Sequence, residues 1–281
     1  MDDPAGGRAL SGDAGALVPD GLDATIVLVR HGESTFIAEG RFQGQADSPL
    51  TDIGRRQTAL VADRLARPHD APALPLPTGD PLELVHSPLG RTTETATAIN
   101  AALRATGQAP AVRPDPGFLE MDQGEWQGLH RDEIQARHGV TLETWRRSPL
   151  EAWAPGGESL PEVQTRTRPA VRAMLERLAD GRPPGTHNRS QVAGYHDPLP
   201  DHPWSIVVGH DGVFKVALLT LFDLPLDRFW MWSMDLCAIS VVELRAGRPV
   251  LRAYNLTAHL AALADAESVA ELDEREDSGA L

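Results

Sequence analysis

The chain of 281 residues carries a single cysteine, Cys237, and a single lysine, Lys215. One cysteine cannot close an intramolecular disulfide or build a cysteine-rich zinc site, which points to a reducing compartment. One lysine, preceded by Phe214, cannot complete the Gly-Lys-[Ser/Thr] end of a phosphate-binding P-loop. A cysteine phosphatase needs arginine six positions beyond its nucleophile, and six beyond Cys237 stands Glu243. A Gly-x-Ser-x-Gly elbow and a His-Glu-x-x-His helix are also missing, which closes the commoner hydrolase routes. No apolar run approaches the ~20 residues that a membrane-spanning helix requires. Asp2 and Asp3 occupy the place where a secretory leader would be basic, so a cytoplasmic location is expected.

Positive charge is scarce too. Lys and Arg total 26 against 40 Asp and Glu, for a net charge of −14. Such a surface repels duplex nucleic acid and anionic membrane, so neither is expected as a principal partner. Hydrophobic residues at 41% and charged residues at 23% are those of a globular chain with a sizeable core. The acid excess gathers at the ends, where bulky apolar residues are few and burial cannot offset ordering entropy. Residues 1–23 and 263–281 are therefore expected to be solvated acidic tails around a single catalytic domain at 24–262. A Pro-rich stretch, 183–203, is expected to be a surface loop insertion. Its histidines His187, His196 and His202 are spaced too irregularly for a metal site and are expected at the surface.

Within the body, three short aliphatic runs each end in a polar cluster: Thr25–Val29 into Arg30-His31-Gly32, Leu82–Val85 into His86-Ser87-Pro88-Leu89-Gly90-Arg91, and Ser205–Val208 into Gly209-His210-Asp211-Gly212. A helix-period segment follows each, over 54–65, 92–103 and 212–221. Continuously apolar strands alternating with helices predict an α/β three-layer sandwich, a mostly parallel sheet with helices on both faces. Further helical patterns cover 128–137, 141–147 and 159–178, and 237–244 and 249–254 read as two closing strands. Ligands of such sheets sit beyond the carboxyl ends of the strands, so the three clusters should converge.

The converging residues suggest phosphate chemistry. Arg30 and Arg91 offer planar, permanently charged forks that match phosphate oxygens. A neutral imidazole among these cations, His31 or His210, keeps a ring nitrogen free to attack phosphorus, while the other stabilises equatorial charge. The leaving alkoxide needs an acid, and Glu120 in the segment Phe118–Trp126 is the best-placed candidate, with Asp122 and Glu125 as rivals. His86 is either a pocket residue or a solvated turn histidine. Trp145, Trp153, Trp230 and Trp232 are expected to pack in the core or a lid. The aromatic and Met-rich stretch Phe229–Met234 is a candidate homodimer face, with burial beneath the final strands as the alternative.

These residues carry a resemblance. Val29-Arg30-His31-Gly32-Glu33-Ser34 resembles the signature of the histidine phosphatase superfamily, which includes cofactor-dependent phosphoglycerate mutases. Similar blocks follow in family order: Arg41–Thr51, Ser87–Thr92, Glu120–Gly128, Pro155–Ser159, Gly209-His210 and Asn255–Leu260. The resemblance implies a phosphoglycerate mutase-like fold in which His31 becomes a phosphohistidine. Arg30, Arg91 and His210 would bind the phosphoryl group, and Glu120 would act as acid and then base. Gln43 and Gly44 would line the entrance, and Asp211 is expected among the substrate-binding residues. Neither a metal nor a cofactor is expected.

Two departures from the family pattern bear on reaction type. Ile37 stands where mutases commonly have a phosphate-binding asparagine, and Glu120 is followed by Met121-Asp122-Gln123-Gly124-Glu125-Trp126 in place of an Arg and Tyr pattern. The expected activity is a metal-independent phosphomonoesterase acting on a small phosphorylated metabolite. The alternatives are a phosphoglycerate mutase and a catalytically silent phosphate-binding or scaffolding member.

Overall fold

A computed structural model of the chain describes residues 15–181 and 202–263. Six strands form one sheet: β1 (Ala24–Arg30), β2 (Glu83–His86), β3 (Ala111–Pro114), β4 (Trp204–Gly209), β5 (Ile239–Arg245) and β6 (Arg248–Leu256), in the order β3-β2-β4-β1-β5-β6. The pairs β1/β4, β2/β4 and β2/β3 are parallel, whereas β5 runs antiparallel to β1 and to β6. β3 escapes the sequence pattern because it is a short edge strand with all four residues exposed, so no apolar run marks it.

The helices are α1 (Thr35–Ala38), α2 (Asp52–Ala66), α3 (Gly90–Ala105), α4 (Arg131–Arg147), α5 (Leu160–Asp180) and α6 (Asp211–Leu221). The two helical patterns at 128–137 and 141–147 merge into α4, with a non-helical bend at His138. Successive strand side chains point to opposite faces, and both faces are covered. Val27, Val29, Leu84, Ile206 and Val208 pack with Val61 and Leu65 of α2 and Ile99 and Leu103 of α3. Ile26, Leu28, Val85 and Val207 pack on the other side with Val171 and Leu175 of α5 and with Val213 and Val216 of α6. The three layers and the mostly parallel sheet agree with the expectation.

The expected boundary of the first tail needs correction. Residues 15–23 are not wholly solvated: Leu17 and Leu22 are buried in the core, and the buried Asp23 carboxylate accepts the Ala246 amide at 2.8 Å. Leu17 and Leu22, with the partly buried Val18, anchor a segment that otherwise has no bulky apolar residue. His202 is corrected in the same way. It is buried and shares a 2.6 Å hydrogen bond with the Thr25 hydroxyl, so it is no surface residue. His187, His196 and the acidic stretch beyond 263 lie outside the described residues. No helix among the described residues is long and apolar enough to cross a membrane.

Candidate active site

The parallel register brings the ends of β1, β2 and β4 to one edge. Arg30 stands opposite Gly209, and His86 opposite Val208. The chain continues this pairing one step further, because the His31 amide donates to the Gly209 carbonyl at 3.1 Å and the Ser87 amide to the Val208 carbonyl at 3.0 Å. The imidazoles of His31 and His210 consequently meet edge to face, with ring centroids 5.0 Å apart.

His31 is buried, and its Nδ1 lies 2.7 Å from the Gly32 carbonyl. A carbonyl only accepts, so Nδ1 holds the proton and Nε2 keeps the lone pair. Burial, and then the charges of Arg91 and Arg30, hold the His31 pKa well below the ordinary 6.5. Burial followed by Arg91 does the same for His210. Both rings are therefore neutral near pH 7, and His31 presents an unprotonated Nε2 as a nucleophile requires.

Arg91 enters from the first turn of α3. Its two terminal nitrogens donate to the Ala46 carbonyl at 3.0 Å and the Gly44 carbonyl at 2.7 Å. Gly44 has φ +51, a left-handed conformation that favours glycine, and a Cβ there would meet the Gln127 side chain at 2.6 Å. Burial lowers the Arg91 pKa to about 10, which still leaves it cationic at pH 7. Arg30 donates through Nη1 to the Met234 carbonyl. His210 shares its Nε2 with the Ser87 hydroxyl at 2.9 Å. Three nitrogens of this cluster, Arg30 Nε, Arg91 Nε and His210 Nδ1, are buried with no protein partner. Burying unpaired nitrogens costs free energy, and an oxyanion bound among them would relieve that cost.

Glu120 completes the group. Its carboxyl accepts the amides of Met121 at 2.8 Å, Val213 at 2.9 Å and Gly212 at 3.2 Å, the latter two from the first turn of α6. Gly212 permits the approach, because a Cβ there would stand 2.6 Å from a Glu120 oxygen. Burial raises the Glu120 pKa and outweighs the amides that lower it; the Asp211 charge adds to the rise. A carboxyl that holds its proton more tightly than usual suits a general acid. The rivals have other partners: the Asp122 carboxylate accepts the Gly124 amide at 2.8 Å, and Glu125 is an exposed partner of His138.

The remaining candidates separate. Gln43 is buried, and its side-chain oxygen accepts from Ser34 Oγ at 2.6 Å. Asp211 is adjacent to His210, but its carboxylate is occupied, by Lys215 at 2.5 Å and by the Met234 amide at 2.9 Å. His86 is buried with its Nδ1 donating to the Ser87 carbonyl at 2.8 Å. Ile37 is buried in α1. Phe229 is buried, whereas Trp230 and Met231 are exposed.

Sequence reasoning overlooked the residues that hold the loops. Arg166 of α5 donates to the carbonyls of Leu119 and Glu120, each at 2.9 Å, and pairs with both oxygens of Glu158. Gln127 Oε1 accepts the amides of Gln45 at 2.6 Å and Ala46 at 2.9 Å, which shapes the segment gripping Arg91. Nothing in spacing singles out Arg166 from the other arginines of α5.

Two arginines, two neutral histidines and a buried carboxyl gathered at the carboxyl ends of the parallel strands form a cluster chemically suited to phosphoryl transfer through histidine. The family model of the histidine phosphatase superfamily (branch 1) matches residues 26–183 and 192–257, and the chain belongs to that family. It is 28% identical to phosphoserine phosphatase 1 of Hydrogenobacter thermophilus over 84% of this chain and 93% of that one. It is 30% identical to a probable phosphoglycerate mutase of Proteus mirabilis, with 78% of this chain and 84% of that one covered. A mycobacterial glucosyl-3-phosphoglycerate phosphatase solved with inorganic phosphate superposes with a TM-score of 0.63 at 26% identity, covering 84% of this chain and 98% of that one.

Proposed function

We propose that the chain is a phosphomonoesterase that releases inorganic phosphate from a small phosphorylated metabolite through a phosphohistidine on His31. The observation that carries this reading is the set of buried, unpartnered nitrogens on Arg30, Arg91 and His210 around the neutral His31. In the first step His31 Nε2 attacks phosphorus while Glu120 gives its proton to the departing alkoxide. In the second, the Glu120 carboxylate takes a proton from water, which attacks the phosphohistidine and frees phosphate and the imidazole. Arg30, Arg91 and His210 stabilise the equatorial oxygens in both steps. The charge stabilisation that a metal could supply comes from guanidinium groups, so no metal is invoked. Phosphatase-named relatives support the same reading.

Gln43, and Gly44 through the loop that holds Arg91, are assigned to the entrance. The buried, unpaired Cys237 favours a cytoplasmic setting. A homodimer through Trp230 and Met231 belongs to the proposal, and sedimentation of the full chain reads it. A mutase-named relative keeps one rival in play. Supplying 3-phosphoglycerate and sugar phosphates separates the two: free phosphate with acid-labile label on wild type, lost in His31→Ala, supports the phosphatase. Conversion to 2-phosphoglycerate without phosphate release overturns it.

A further inference from the structure

Asp211 and Lys215 sit four residues apart on α6, at 2% and 3% exposure, and form a 2.5 Å ion pair. Removing two charges from water costs several kcal/mol per ion, so a pair this deep is weak as a stabilising device and invites another explanation. The second Asp211 oxygen accepts the Met234 amide at 2.9 Å, and the Met234 carbonyl accepts Arg30 Nη1. Met234 lies in the irregular segment between the 3₁₀ turn Leu226–Met231 and β5, where no helix or strand ladder sets the direction of its carbonyl. Side chains do that work on both sides of the segment: Asp211 from within, and Asn255, whose side-chain oxygen accepts the Asp235 amide at 2.7 Å, from β6. The Lys215 ammonium also stands 5.2 Å from the ring centroids of both Phe229 and Trp230, which ties the preceding turn to α6.

From this chain of contacts we infer that Asp211, charge-balanced by Lys215, is a positioning residue that aims the Arg30 guanidinium at the phosphoryl group through Met234. The inference rests on the phosphate-binding part of the reading above. It also reassigns Asp211, because a carboxylate with both oxygens engaged inside the protein is poorly placed to receive substrate. Arg30 Nε meets no protein acceptor, which leaves the Met234 carbonyl to set the plane of the fork. Arg91 needs no such device, since the Gly44 and Ala46 carbonyls hold it directly.

The test compares two charge-neutral double variants of the full chain, D211A/K215M and D211N/K215M, so that neither leaves a buried unpaired ion. Only the second keeps an oxygen that can accept the Met234 amide. The readout is inorganic phosphate binding by titration calorimetry, with thermal melts as the check on folding. Loss of a contact to a charged group predicts about tenfold weaker phosphate binding by D211A/K215M. D211N/K215M should stay within about threefold of wild type. In an R30A background the same two changes should no longer differ, because the group they position is gone. Equal phosphate affinity in the two double variants, or an undiminished difference after R30A, overturns the inference. A wild-type chain that binds phosphate but hydrolyses no ester would sink the phosphatase reading and leave this assignment standing.

Discussion

Replacing Glu120 by glutamine removes its proton transfers while keeping most of its hydrogen bonds. Three amides point at the carboxyl, two of them at Oε1. A glutamine with its oxygen at that position keeps the Met121 and Val213 bonds but turns an NH2 toward the Gly212 amide. One buried donor left unsatisfied costs roughly 1–3 kcal/mol of stability. For a chain of this size that is a fall in melting temperature of about 2–4 °C per kcal/mol. The catalytic loss has a different size and a different signature. General acid catalysis is worth about 10²- to 10⁴-fold, or roughly 3–5 kcal/mol of barrier, when the leaving group is a poor one. An alkyl phosphate must leave as a strongly basic alkoxide, whereas 4-nitrophenyl phosphate leaves as a stable phenolate that needs little help. Glu120→Gln should therefore reduce kcat/KM, which reports only the steps up to departure of the alcohol, by at least about a hundredfold on the alkyl ester and far less on the aryl ester. Steady-state phosphate release from the two esters, measured well below the melting temperature of the variant, reads the ratio. Equal losses on both substrates would refute the assignment of Glu120 as the acid.

The buried histidines predict an acid-sensitive fold. His31 and His210 hold protons more weakly folded than unfolded, so their stabilisation is full above the ordinary value of 6.5 and is lost as pH falls below it. Glu120 has the opposite sign: its raised pKa stabilises fully below the ordinary 4.5, and that contribution is lost as pH rises through the folded value. Urea midpoints should fall on acidification from neutral pH to about 5, and His210→Asn should flatten the decline; an unchanged slope counts against neutral burial. Gly54→Ala would press a Cβ to 2.0 Å from the Glu33 carbonyl oxygen, while a Cβ on Gly79 meets nothing within 4 Å. Thermal melts should show Gly54→Ala destabilised by at least about 1–3 kcal/mol and Gly79→Ala close to wild type. EDTA should leave turnover intact and Cys237→Ser should change it little, since burial raises that thiol to about 12 and no step uses it; strong inhibition by the chelator, or loss of activity in the serine variant, would oppose the mechanism.

The candidate site residues divide by how local their signal is. Arg30, His31 and His210 end buried strands, and a strand buried on both faces announces itself by an unbroken aliphatic run. The place where it stops is equally visible. Glu120 was recognisable as a candidate but not separable from Asp122 and Glu125, because a carboxyl proves itself only by what surrounds it. Burial and the amides opening α6 single it out, and those amides come from residues about ninety positions away. Asp211 shows the reverse case. It is expected among the substrate-binding residues, yet the first turn of α6 points its carboxylate at Lys215 and Met234. The packing of segment 15–23 was hidden because two buried leucines among small residues and aspartates form no helix or strand period.

Periodicity, strand-end chemistry and residue supply were enough to specify the layered sheet, the pair of arginines and the pair of histidines. They are properties of neighbouring residues, and neighbours along a chain stay neighbours in any fold. Which nitrogen of His31 faces a carbonyl, which candidate acid is buried, and which carbonyls steer the two guanidiniums were decided only when Gly32, Gly212, Gly44 and Met234 came to their places. Proton affinity and side-chain direction depend on distance and solvent exclusion, and neither is set until remote segments pack together.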